Sequence, residues 1–139
     1  MQYYELYCVF IVVNNYPNSN HHAQCVTSGE YNMKLLQVDF EYQGPMGEEM
    51  SNALVGLAES INKEEGLIWK IWTESESDKL GGGVYLFDNE KSAQKYLEMH
   101  ASRLKAMGVA EVRGIIFDVN IPLTKINQGP VFQEGNIYD

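Results

Sequence analysis

The sequence predicts an α+β fold of the ferredoxin-like kind, with elements in the order βαββαβ. Its four strands form an antiparallel sheet that carries two helices on one face. Three observations lead there. Short alternating or β-branched segments occur at 34–42, 67–76, 84–87 and 112–119. Apolar residues at helical spacing follow the first and third of these segments. Turn-forming residues, "GPMG" at 44–47, Gly66, Gly108 and Pro122, separate the units.

Taken in order, "KLLQVDFEY" (34–42) puts Leu36, Val38, Phe40 and Tyr42 on one face and Gln37, Asp39 and Glu41 on the other. After the turn, Met50, Ala53, Leu54, Leu57, Ala58 and Ile61 form the stripe of a first helix. Glu48 and Glu49 stand in its first turn, where the helix dipole favours acid. Gly66 stops this helix. The second strand holds two tryptophans three residues apart, so alternation sends Trp69 and Trp72 to opposite faces. Trp69 shares its parity with Leu67 and Ile71 and is expected under the helices. Trp72 goes with Lys70 and Glu74 to the helix-free face. "GGG" (81–83) reads as a tight turn or a close backbone approach before the third strand, "VYLF". Asp88 or Asn89 caps a second helix with the stripe Ala93, Tyr96, Leu97, Ala101 and Leu104. "VRGIIFDV" (112–119) is the last strand, ended by Pro122.

With 139 residues, 45% hydrophobic and 21% charged, the chain has the size and composition of one soluble domain. A net charge of −9 argues against nucleic-acid backbones and anionic membranes as partners. The run "LYCVFIVV" (6–13) is too short to span a bilayer and lacks a signal peptide's basic flank. Cys8 and Cys25 make no disulfide framework, and the expected location is the cytoplasm. Residues 1–32 contain no Lys or Arg and read as an extension outside the fold. The domain is placed at 33–129, with a tail at 130–139. His21, His22 and Cys25 lack a second ligand cluster, so no metal site is expected.

Two helices on one face leave the other face of the sheet with apolar residues to cover. A second copy covering it face to face gives a closed homodimer with an internal cavity. The segments "GPMGEEM", "LAESINKEEGLIWKIWTESE", "GGGVYLF", "YLEMHASRL" and "FDVNIPLTKINQ" fit that picture. Over residues 35–128 they resemble the YdhR family of mono-oxygenases, within the dimeric α/β-barrel superfamily of small antibiotic-biosynthesis-type mono-oxygenases. The resemblance implies a dimeric α/β barrel and oxygenation without flavin, metal or any other external cofactor.

The residues themselves exclude several chemistries. "GGG" precedes a strand, so it is not a dinucleotide fingerprint. The main domain has no cysteine and one histidine, His100. What remains is an aromatic-lined cavity suited to a planar aromatic ligand. Its expected wall is Gln37, Asp39, Lys70, Trp72 and Tyr85, with Trp69 taking the place of Trp72 if a bulge exchanges the two faces. His100 is the candidate general base, and Arg103 the candidate holder of an anionic substrate. Competing roles are a packed or capping histidine, a solvated helix arginine, and an Asp39–Lys70 pair across neighbouring strands. Asn62 reads as a residue of the first helix's C-terminus. Two functions follow: a mono-oxygenase acting on a small phenol- or quinol-like aromatic, or a non-catalytic dimeric module binding a hydrophobic small molecule. A third is haem binding with His100 as axial ligand.

Overall fold

The computed structural model describes residues 32–131. The first 31 residues of the expected extension, including His21, His22 and Cys25, lie outside them. Four strands, β1 (Lys34–Glu41), β2 (Leu67–Ser75), β3 (Leu80–Phe87) and β4 (Val112–Asp118), form one sheet in the order β2-β3-β1-β4. Every neighbouring pair is antiparallel. This is the expected ferredoxin-like α+β arrangement.

On one face lie α1 (Gly47–Ala53), α2 (Val55–Ile61) and α3 (Glu90–Ala106). The predicted first helix is thus two short ones. The chain breaks at Leu54 (φ −108°, ψ 12°), and hydrogen bonds to Met50 and from Ala58 keep the two halves continuous. Asn62 is the C-cap of α2, and Gly66 at φ 77° turns the chain into β2, a backbone geometry that only glycine adopts freely. Asn89 caps α3 by accepting from the Ser92 amide at 2.8 Å. Beneath the helices, Leu36, Val38, Tyr85, Phe87, Ile61, Ala93 and Tyr96 form the main core.

Where an end to β4 at Pro122 was expected, a further helix begins. In α4 (Ile121–Ile126), Asn120 accepts from the Leu123 amide at 3.2 Å and Pro122 occupies the first turn. Proline favours that position because its missing N–H would be unpaired there anyway. This helix lies against the opposite face of the sheet, where Ile121 and Val131 pack with Leu86, Met33, Ile68 and Trp69. Pro130 and Val131, the first residues of the expected tail, therefore belong to the packed structure. The helix-free face is only part bare: Ile71, Ile115 and Phe117 remain 51%, 38% and 42% exposed.

The tryptophans reverse their expected faces. Leu67 pairs with Phe87 but Trp69 with Leu86, so Ile68 is an extra residue and the alternation shifts by one. From there on, Lys70 (opposite Tyr85) and Trp72 (opposite Gly83) point to the helix side, while Trp69 and Ile71 point away. The indole N–H of Trp69 donates to the Pro130 carbonyl at 2.6 Å. The glycine run lies inside β3, not in the turn before it. A Cβ at Gly82 would collide with the Val38 carbonyl oxygen, so the close-approach reading of this run holds.

Candidate functional site

A cavity of about 900 Å³ opens between the helices and the sheet. Its floor comes from β1, β2 and β3 through Phe40, Lys70, Trp72 and Tyr85. The walls are Met50, Leu54 and Leu57 on one side, and His100, Arg103 and Leu104 of α3 with its C-cap Met107 on the other. It therefore sits within one chain on the helix side, not on the face where a cavity between subunits was expected. Among the expected wall residues, Lys70, Trp72, Tyr85, His100 and Arg103 come together. Trp69 and Gln37 do not, because both belong to the other face. Asp39 touches the cavity lining, but its carboxylate accepts from Arg113 at 3.2 Å and makes no pair with Lys70.

Helix α3 delivers a row of polar groups. Tyr96, His100 and Arg103 stand at i, i+4 and i+7, one face of a helix. Arg103 Nη2 lies 2.9 Å from His100 Nδ1. A guanidinium can only donate, so Nδ1 is the acceptor and the ring proton of the neutral imidazole sits on Nε2. That N–H faces the Tyr85 hydroxyl, 3.5 Å away, which also accepts from the Tyr96 hydroxyl at 3.3 Å. The rings of Tyr96 and His100 stack with centroids 5.3 Å apart.

Electrostatics follow from this packing. His100 is 5% exposed. Burial first, then the charges of Arg103 and Lys70, push its pKa down to about 4. Burial pushes the phenols of Tyr85 and Tyr96 up, so both remain protonated at neutral pH. These facts change the expected role of His100. One nitrogen is occupied by Arg103 and the other already carries a proton, so the ring has no free lone pair for a substrate or an iron. Its Nε2–H is directed at the Tyr85 hydroxyl.

Lys70 is the other polar group of the cavity. Its ammonium nitrogen lies 3.2 Å from the Trp72 ring centroid and 4.8 Å from that of Tyr85. Burial first, and the charge of Arg103 second, push its pKa down to about 7. No carboxylate among the described residues lies within ion-pair distance of Lys70 or Arg103. Sequence reasoning missed Tyr96 as a polar member of the site, although its spacing to His100 and Arg103 was legible. Phe40, Leu57 and Met107 were missed because only the folded chain brings strand, α2 and the end of α3 around one cavity. No group of metal-ligating residues occurs among the described residues.

A family model described as "Putative mono-oxygenase ydhR" matches residues 35–130. The chain belongs to the ydhR family. No curated protein matches the sequence. Among solved structures, the ydhR-family chain resembles NE2512, a protein of unknown function from Nitrosomonas europaea. The two share 15% identity over 66% of this chain and 93% of that one, with a TM-score of 0.50. It also resembles SnoaB, a cofactor-independent oxygenase from Streptomyces nogalater, at 13% identity over 64% and 94% of the two chains (TM-score 0.47). A third is the monooxygenase from ActVA-Orf6 of Streptomyces coelicolor, solved with nanaomycin D, at 15% identity over 69% and 94% (TM-score 0.45). At 15% identity the likeness to NE2512 speaks to the fold alone. No helix among the described residues is long and apolar enough to cross a membrane.

Proposed function

We propose that this ydhR-family protein is a mono-oxygenase that oxidises a small phenol- or quinol-like aromatic in the helix-side cavity, without an external cofactor. The observation that carries the reading is the cavity itself. Its about 900 Å³ are lined by Phe40, Trp72, Tyr85 and aliphatic side chains together with polar groups that include Lys70, His100 and Arg103. Flat aromatic walls suit a planar ring, and the polar groups fix its orientation. An electron-rich phenol can supply the electrons for dioxygen itself. A phenol and dioxygen give a quinone and water: one oxygen atom enters the ring as a carbonyl and the other leaves as water. The protein's part is to hold the ring, manage the phenolic proton and keep bulk water away. Arg103 holds the developing anion, and Trp72 stacks on the ring.

The same reading takes the protein as a homodimer in the cytoplasm. Exposed Ile71, Ile115 and Phe117 make the uncovered part of the face opposite α1–α3 the natural contact for a second copy. The test is oxygen consumption with a panel of phenols and quinols, with quinone formation followed by absorbance. Turnover that saturates with substrate and is lost in Trp72→Ala is the expected result. Saturable binding with no oxygen uptake across the panel would favour a non-catalytic module that binds the same class of molecule.

A further inference from the structure

Lys70 is placed unlike the other lysines whose pairing the structure defines. Lys34 and Lys95 meet carboxylates, Asp118 with Glu90 and Glu65 respectively. Lys70 instead points from the sheet into the cavity and rests on aromatic faces. The groups that meet Lys70 directly or exchange charge effects with it are Trp72, Tyr85, Arg103 and His100, and none of them is an anion. Arg103 is likewise unpaired with any carboxylate, and its polar partners are the neutral His100 ring and the Tyr96 hydroxyl. The lining also carries Asp39, Glu41 and Glu111, but none of them forms an ion pair with Lys70 or Arg103. Two basic side chains without a bonded counter-charge beside aromatic walls suit a ligand that brings the negative charge itself.

We propose that Lys70 is the proton acceptor of the site: the ligand enters as an acidic phenol or enol, gives its O–H proton to the Lys70 amine, and is held as the anion between Lys70 and Arg103. The O–H bond breaks and an N–H bond forms, with no change of oxidation state. The resulting ammonium is stabilised where it stands, by the Trp72 face at 3.2 Å and by the new anion. His100 cannot take this part, for the reasons of geometry given above. An amine that burial and a neighbouring cation hold close to neutral is suited to accept a proton at physiological pH. This assignment rests on the proposed function for the ligand class but not for the oxidation, since anion formation needs no oxygen.

The probe is methyl 4-hydroxybenzoate, whose ionisation changes its ultraviolet absorption. Methyl 4-methoxybenzoate serves as the same shape without the acidic proton. About one pH unit below the phenol's own pKa, roughly a tenth of the free probe is ionised. Bound to the wild-type protein it should show the phenolate spectrum, and bind at least about tenfold more tightly than the methoxy analogue. Lys70→Met, checked for folding by circular dichroism, should lose both the phenolate band and the preference. Lys70→Arg should keep the band but release close to a full proton to buffer in calorimetry, because a guanidinium cannot accept one. Wild-type protein would release far less. A bound probe with the neutral phenol spectrum, or a phenolate band that survives Lys70→Met, overturns the proposal. Oxygen uptake separates the two ideas. Absent uptake with an intact ion pair sinks the mono-oxygenase reading alone, whereas full uptake in Lys70→Met sinks the role of Lys70 alone.

Discussion

The guanidinium of Arg103 donates to Nδ1 of His100 across 2.9 Å, which fixes the imidazole as the neutral Nε2–H tautomer. Nitrogen-detected NMR should find that tautomer at pH 7, with a titration midpoint at about 4. Replacing Arg103 by Met should raise the midpoint without restoring the ordinary 6.5, because burial is the larger cause and Arg103 the second. A wild-type midpoint near 6.5 would mean that the ring is solvated.

The same depressed pKa has a consequence for acid stability. Unfolded, His100 takes up its proton near 6.5; folded, it resists until about 4. Between those values the unfolded chain binds more protons, so stability contributed by this residue falls as pH drops from 6.5 towards 4. His100→Gln should flatten that part of a plot of melting temperature against pH.

Lys70 gives a second window at higher pH. Its ordinary value is 10.5 and its folded value about 7. Below 7 both states are protonated and the full cost of burying the charge is present. From 7 to 10.5 the unfolded chain binds more protons, and stability from this residue rises with pH. Lys70→Met should therefore melt above the wild type on the acid side of 7, with an advantage that shrinks as pH approaches 10.5. An advantage that stays constant with pH would show that Lys70 is not perturbed.

The tryptophans should separate stability from binding. Trp69 packs with Leu86, Ile121 and Val131 and donates to Pro130, so Trp69→Ala should cost about 3 kcal/mol in chemical denaturation. Trp72 is 38% exposed and faces the cavity. Its replacement by Ala should cost about 1 kcal/mol or less, but weaken binding of the aromatic probe. Equal losses of stability would argue that Trp72 is a core residue.

For the dimer, Phe117 is the sharpest probe, since it stands 42% exposed on the face of β4 turned away from α1–α3. Light scattering should show a dimer for the wild type and a folded monomer for Phe117→Glu. A stable contact of this kind buries on the order of 2,000 Å². A wild-type monomer at micromolar concentration would end the idea.

Much of the domain was legible in the sequence because each element carried its own period and its own stops. The alternation of Leu36, Val38 and Phe40, the capping by Asn89 and the glycine after α2 all act within a few residues of themselves. Helix α4 is also written locally, in Asn120 and Pro122, but a proline after a strand fits a stop as well as the helix start it serves here. For the site, the helical spacing of Tyr96, His100 and Arg103 was readable, and so was the grouping of Lys70 with Trp72.

The sequence by itself determined the order of elements, the helix-side core of β1 and the companionship of Lys70 and Trp72, because those follow from chain-local periodicity. Tertiary structure alone decided the rest. The extra residue at Ile68 is defined only by pairing with Phe87 and Leu86 on β3, and it decides which tryptophan meets the cavity. The position of the cavity depends on how far α2 and α3 stand off the sheet. The low pKa of His100 depends first on burial, which excludes water from the ring. Each of these is a relation between groups on different elements, or between a group and its solvent, and no period along the chain encodes it.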